Sequence, residues 1–154
     1  MLKEGAKAPA FKLPSDSGET IALKDLAGQR VILYFYPKDD TSGCTLEAKN
    51  FRDEIAAFKK KKAVILGVSR DSVASHVKFK KKYDLNFPLL SDEDGTVCEK
   101  YGVWVEKSMY GKKYMGIDRA TFLVGKDGRI ARIWRKVSVP GHVEEVLEAA
   151  KGLG

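Results

Sequence analysis

Val31-Ile32-Leu33-Tyr34-Phe35-Tyr36-Pro37-Lys38-Asp39-Asp40-Thr41-Ser42-Gly43-Cys44-Thr45 carries the reading of the whole chain. Its first half is apolar, β-branched or aromatic throughout, as in a strand buried on both faces. Pro37 ends that run and opens a polar turn that closes at Gly43-Cys44. Beyond it Ala48, Phe51, Ile55 and Phe58 recur at helical spacing, which predicts an amphipathic helix from Cys44 to about Lys60. Cys44 therefore stands where a strand's C-terminal end hands over to a helix N-terminus. Partial positive charge and unpaired backbone N–H groups collect there, and they favour thiolate, the nucleophilic form, over thiol.

Working outward, Phe11, Leu13, Ile21 and Leu23 alternate around Asp16-Ser17-Gly18 and predict an N-terminal hairpin over 11–23. Ala63–Ser69 reads as a second buried strand. Asp71 or Ser72 then caps a helix whose apolar face carries Val73, Val77 and Tyr83. A short strand near Phe87–Leu90 precedes a short helix from about Gly95 to Tyr101. Residues 103–117 mix aromatic and apolar side chains with lysines and glycines, and fit either a strand or a structured loop. Ala120–Val124 and Ile130–Trp134 flank Lys126-Asp127-Gly128 as a hairpin. Val143, Val146, Leu147 and Ala150 mark a last helix from about Gly141. Strands alternating with helices, then a hairpin and a helix, specify an α/β domain with a mixed β-sheet.

The 154 residues are the length of one domain, read here as 1–154 without linker or repeat. A composition of 44% hydrophobic and 32% charged residues is that of an ordinary soluble protein. No apolar stretch approaches the ~20 residues of a membrane span, and the first residues lack a signal peptide's pattern, so the expected compartment is cytoplasmic. The net charge of +7 gathers partly in Lys59–Lys62 and Lys80–Lys82, each near a predicted helix end where cations complement the helix dipole. No nucleic-acid recognition motif accompanies it, and no nucleic-acid partner is expected. Two cysteines are too few for a disulfide framework or for a zinc site unaided by histidine.

The neighbours of Cys44 suit a reactive thiolate. Thr41 can bring a hydroxyl to the sulfur, and Gly43 permits close backbone approach with its amide free to hold a bound oxygen. Pro37 shapes the loop and shields the sulfur from water. Glu47 lies one helical turn beyond Cys44 on the same face, where a bare carboxylate would disfavour the thiolate. An arginine between or beside them, held by Glu47, resolves that conflict. The candidates are Arg30, Arg52, Arg70, Arg119, Arg129, Arg132 and Arg135.

The spacing Pro37-x-x-x-Thr41-x-x-Cys44 resembles the active-site signature of peroxiredoxins. The longer run from Tyr34 to Thr45, with Phe87–Asp92, Tyr101–Trp104 and Arg119–Leu123, resembles the bacterioferritin-comigratory or Q-type subfamily over nearly the whole chain. Ser42 departs from a proline common at that place. The resemblance implies a thioredoxin-like fold and a thiol-dependent peroxidase, an antioxidant oxidoreductase acting on hydrogen peroxide and organic hydroperoxides. It implies Cys44 as the peroxidatic cysteine, Thr41 and Arg119 as its hydrogen-bonding partners, Pro37 as shield and Glu47 as the residue positioning an arginine. It implies no metal and no organic cofactor. Thioredoxin, glutaredoxin or a small thiol would be the reductant, and the protein a monomer or weak homodimer.

Oxidation would convert Cys44 to a sulfenic acid, which must condense with a thiol before it over-oxidises. The subfamily's usual resolving positions are held here by Lys49 and, in the next helix, a residue near Lys80. The other thiol is Cys98. Resolution thus falls to an external thiol or to Cys98, within the chain or across a dimer. Two other functions compete with the peroxidase. A thioredoxin-type disulfide oxidoreductase is disfavoured because Glu47 stands where a Cys-x-x-Cys pair needs its second cysteine. The other is a non-catalytic, basic binding or chaperone-like protein on a redoxin scaffold. His76 and His142 are expected to be solvent-facing or capping, Asp39 and Asp40 loop-forming, and Trp104, Met109 and Tyr110 core or pocket rim.

Overall fold

A computed structural model describes residues 2–153. Its centre is the strand β3 (Arg30–Phe35), buried along its whole length. The strand β4 (Ala63–Ser69) runs parallel to it, and β5 (Leu89–Ser91) parallel to β4. On the other side β8 (Ala120–Val124) pairs antiparallel with β3, and β9 (Ile130–Trp134) with β8. The sheet order β5-β4-β3-β8-β9 is the mixed sheet expected from the alternation of elements. The N-terminal hairpin forms from β1 (Lys12–Pro14) and β2 (Thr20–Ala22).

Alternation along β3 sends successive side chains to opposite faces. Val31, Leu33 and Phe35 pack with Phe122, Tyr101, Val103 and Cys98 on one face. Ile32, Tyr34 and Tyr36 pack on the other with Cys44, Ala48, Phe51, Phe79, Val143 and Val146. The second face is covered by α1 (Ser42–Asp53), α2 (Ile55–Lys60), α3 (Val73–Tyr83) and α5 (His142–Gly152). The first is covered in part by α4 (Thr96–Lys100).

Several expectations need correction, and one open reading is resolved. The helix over 44–60 is two helices, broken at Glu54, and the first begins at Ser42 rather than Cys44. Val77 is 46% exposed, and the buried side chains of α3 are His76 and Phe79. The strand near 87–90 is shifted to 89–91. Residues 104–117 form a separate hairpin of β6 (Trp104–Met109) and β7 (Lys112–Ile117). Its two-residue turn is Tyr110-Gly111, with φ of 52° and 78°. Such a turn ordinarily takes Asn-Gly, and tyrosine in the left-handed position conceals it. Met109 and Tyr110, 56% and 98% exposed at the hairpin's end, do not belong to the core.

Candidate active site

The loop 37–41 joins β3 to α1 and delivers Cys44 to the third residue of that helix. Thr41 precedes the helix in an extended conformation (φ −98°, ψ 157°), and its carbonyl accepts the first helical hydrogen bond, from the Thr45 amide at 2.8 Å. The amides of Ser42, Gly43 and Cys44 therefore precede the helical ladder and have no acceptor within it. Cys44 itself is 1% exposed, packed among Tyr34, Tyr36 and Ala48.

Arg119 reaches the sulfur through strand register. Phe35 pairs with Ala120, so the residue before Ala120 comes level with the C-terminal end of β3, where α1 starts. Nη2 of Arg119 donates to Cys44 Sγ at 3.3 Å, and Nη1 donates to Glu47 Oε1 at 2.7 Å. Of the seven arginines open to the sequence, this one lies between the thiol and the carboxylate. Gly43 lies close beneath it: a Cβ there would stand 3.1 Å from Nη2, so the guanidinium would have to give by a few tenths of an ångström. Glu47 is fully buried, and its Oε2 has no hydrogen-bond partner. Burial raises its carboxyl, which the charge and hydrogen bond of Arg119 only partly offset, leaving it at about 7. Burial works against the Arg119 cation, but Glu47 and Cys44 outweigh it and hold the guanidinium above its ordinary value.

The remaining sequence candidates are placed differently. The Thr41 hydroxyl donates to the Lys38 carbonyl at 2.8 Å, which leaves its lone pairs free to accept. Pro37 is exposed and lines a cleft of about 430 Å³ with Arg70, Trp104, Lys107 and Met115. Cys98 is fully buried on the opposite face of the sheet from Cys44. Burial pushes its thiol far up, and a hydrogen bond and the negative charge of Asp92 push it further. Asp92 Oδ2 also accepts the Cys98 amide at 2.8 Å.

Both histidines are buried, against expectation. His76 is 0% exposed, and His142, the first residue of α5, is 4% exposed with Nε2 2.8 Å from Thr121 Oγ1. Burial drives His142 down to about 4, so it is neutral at physiological pH. Asp39 and Asp40 do more than shape the loop. Asp40 accepts from Lys82 Nζ at 2.8 Å and Tyr83 Oη at 2.6 Å, while Asp39 is buried against α3. Sequence spacing carries a signal for His76: positions 76, 79 and 83 lie along one helical stripe.

A model of the AhpC/TSA family matches residues 5–133. A putative peroxiredoxin bcp of Coxiella burnetii is 57% identical over 146 residues, 95% of this chain and 97% of that protein. Peroxiredoxin Bcp of Bacillus subtilis is 50% identical over 152 residues, 99% of this chain and 97% of that one. Among solved structures, the bacterioferritin comigratory protein of Xanthomonas campestris, studied for alkyl peroxide reduction, superposes with a TM-score of 0.88 at 45% identity. That match covers 92% of this chain and 90% of that one. A cysteine-to-serine mutant of Xylella fastidiosa PrxQ gives 0.93 at 41% identity, covering 98% and 96%. The fold is that of the thioredoxin-like peroxiredoxins.

Proposed function

The chain belongs to the AhpC/TSA family of peroxiredoxins, and from that premise we propose that Cys44 is the residue that attacks peroxide. The protein is a thiol-dependent peroxidase. Its substrates are peroxides, and thiols restore it. The observation that carries the residue assignment is the Arg119 guanidinium, bridging Cys44 Sγ at 3.3 Å and Glu47 Oε1 at 2.7 Å.

In the reaction the Cys44 thiolate displaces at the nearer peroxide oxygen. An S–O bond forms, the O–O bond breaks, and hydroxide or alkoxide leaves to take a proton from water. Sulfur is oxidised to sulfenic acid while the peroxide is reduced to water or alcohol. Negative charge moves from sulfur toward the leaving oxygen, so donors that span both atoms stabilise it most in the transition state. Arg119 and the free amides of Gly43 and Cys44 are those donors. The Thr41 oxygen, whose own hydroxyl donates to the Lys38 carbonyl, accepts a hydrogen bond from the bound hydroperoxide. Glu47 fixes the guanidinium, and Pro37 stiffens the loop.

Resolution falls to an external thiol: thioredoxin, glutaredoxin or a small thiol condenses with the sulfenic acid, releasing water, and a second thiol frees Cys44. Supporting this is the position of Cys98 across the sheet, since a disulfide needs Cα atoms within ~7 Å. Two free cysteines suit the cytoplasm, and no helix among the described residues is long and apolar enough to cross a membrane. The protein acts as a single domain, as a monomer or weak homodimer, on hydrogen peroxide and alkyl hydroperoxides. One equivalent of hydrogen peroxide followed by peptide mass analysis tests the assignment. The expected product is sulfenic acid, or an external-thiol adduct, at Cys44 with Cys98 free. A Cys44–Cys98 disulfide would overturn the external route, and oxidation elsewhere the assignment itself.

A further inference from the structure

His76 is a fully buried histidine whose two ring nitrogens both face acceptors. Nδ1 lies 2.7 Å from Asp39 Oδ2, and Nε2 lies 2.9 Å from the Leu90 carbonyl. A carbonyl can only accept, so Nε2 carries a proton. The Asp39 carboxylate already accepts a hydrogen bond from Tyr36 Oη on Oδ1, at 2.6 Å, and from Ser75 Oγ on Oδ2, at 2.8 Å. Its remaining demand at Oδ2 is met by Nδ1–H. The ring with both nitrogens protonated is an imidazolium, sealed inside the protein against a carboxylate.

This pair joins three elements. Asp39 lies in the loop that ends at the Cys44 helix, His76 is in α3, and Leu90 is in β5. The Asp39 amide also donates to Asp71 Oδ2 at 2.9 Å, which takes a further hydrogen bond from Ser69 Oγ at 2.6 Å. We propose that His76, as an imidazolium, is a positioning residue for the peroxide reaction. It clamps Asp39 and so sets where the loop 37–41 places the Thr41 oxygen and the first turn of α1. The proposal rests on Cys44 being the peroxidatic residue.

The charged groups around the ring agree with this. The ionisable side chains facing it are acids: Tyr36 from the end of β3, Asp39 from the loop and Asp71 before α3. Nearby cations point elsewhere, Arg70 to the Glu93 carbonyl, Lys80 to Asp16 and Lys82 to Asp40. Burial opposes the charged ring, but the hydrogen bond and charge of Asp39, with the Leu90 carbonyl and Asp71, raise it above 6.5. A base raised on folding keeps its clamp at lower pH and loses it as pH rises through the folded value. A second tie, Asp40 to Lys82, is exposed and yields to salt, whereas the buried pair does not.

The test joins spectroscopy on the unmodified protein to kinetics on a variant. Ring-nitrogen NMR of the reduced protein should show His76 with both nitrogens protonated at neutral pH, insensitive to added salt. When the ring loses its proton at higher pH, the amides of 38–41 should shift with it. In H76Q, stopped-flow oxidation by hydrogen peroxide should slow about 10- to 100-fold, the scale of a misplaced reacting group. The variant should also lose the alkaline decline that the unmodified protein shows over the ring's titration. A neutral His76 ring at neutral pH, or loop amides indifferent to its titration, would overturn the clamp even if H76Q did not fold. A folded H76Q with unchanged rate and pH profile would overturn the positioning role. If the unmodified protein shows no Cys44 oxidation, the reading of the site fails, and the NMR titration still decides the clamp.

Discussion

Cys44 and Cys98 are equally hidden from solvent, at 1% and 0% exposure, yet their surroundings differ in sign. On one face of the sheet a guanidinium stands 3.3 Å from sulfur. On the other, the carboxylate of Asp92 holds the cysteine's own amide, and burial with that negative charge keeps the thiol protonated. Burial by itself disfavours a thiolate. What separates the proposed nucleophile from the other thiol is the charge brought against each sulfur, and that is a matter of which face each side chain occupies.

The largest expected effect comes from exchanging the roles of the two cysteines. Cys44→Ser should abolish peroxide turnover, while Cys98→Ala should leave the first oxidation step at its original rate, measured by stopped-flow with hydrogen peroxide. Retained turnover in C44S, or a stalled first step in C98A, would break the contrast. Next is the charge itself. Arg119→Met should slow Cys44 oxidation on the order of 10²–10³-fold, as loss of a donor aimed at developing charge does. The same substitution should leave alkylation of Cys98 in the folded protein as slow as before.

Glu47→Gln sharpens the comparison through pH. With the carboxyl at about 7, the rate of Cys44 oxidation should rise through that pH as the carboxylate fixes Arg119. The variant should lose that inflection and run roughly tenfold slower at alkaline pH. Stability moves the other way. The folded carboxyl is raised from 4.5 to about 7, so between those values the native state binds more protons than the unfolded one. Stability contributed by this group is therefore lost as pH rises across that window. Tm measured against pH should shift in favour of E47Q from pH 4.5 to 7 and hold constant above. The smallest effect is Gly43→Ala. It should slow oxidation by less than about tenfold by displacing the guanidinium. Helicity would not suffer, since alanine in a helix is favoured over glycine by up to about 1 kcal/mol. A slower enzyme of undiminished Tm is the expected outcome.

Much of this is legible in the chain. The run from Val31 to Tyr36 announces a buried strand because both faces need apolar side chains, and the Pro37 to Cys44 spacing announces a loop ending at a helix start. The conflict between Glu47 and a thiolate one helical turn away calls for an arginine on local spacing alone. Resemblance singles out Arg119, because seven arginines have no order in sequence that favours one. Its physical reason is the Phe35–Ala120 register. The hairpin at 104–117 hides behind a tyrosine in a left-handed turn position. His76 reads as exposed because a polar residue on a helix is usually solvated. Its stripe with Phe79 and Tyr83 points inward, but a partner 37 positions away in Asp39 is what makes that burial tolerable.

The sequence by itself determined a strand–loop–helix unit with a cysteine at the helix start, since local periodicity and turn chemistry act over a few residues. The surroundings of that cysteine were decided only in three dimensions. Antiparallel pairing of β3 with β8 delivers a cation 75 residues away to the sulfur, and alternation across the sheet puts Cys98 on the other face. Charge and burial depend on distance through space, and in this protein the groups that tune the thiol come from remote parts of the chain.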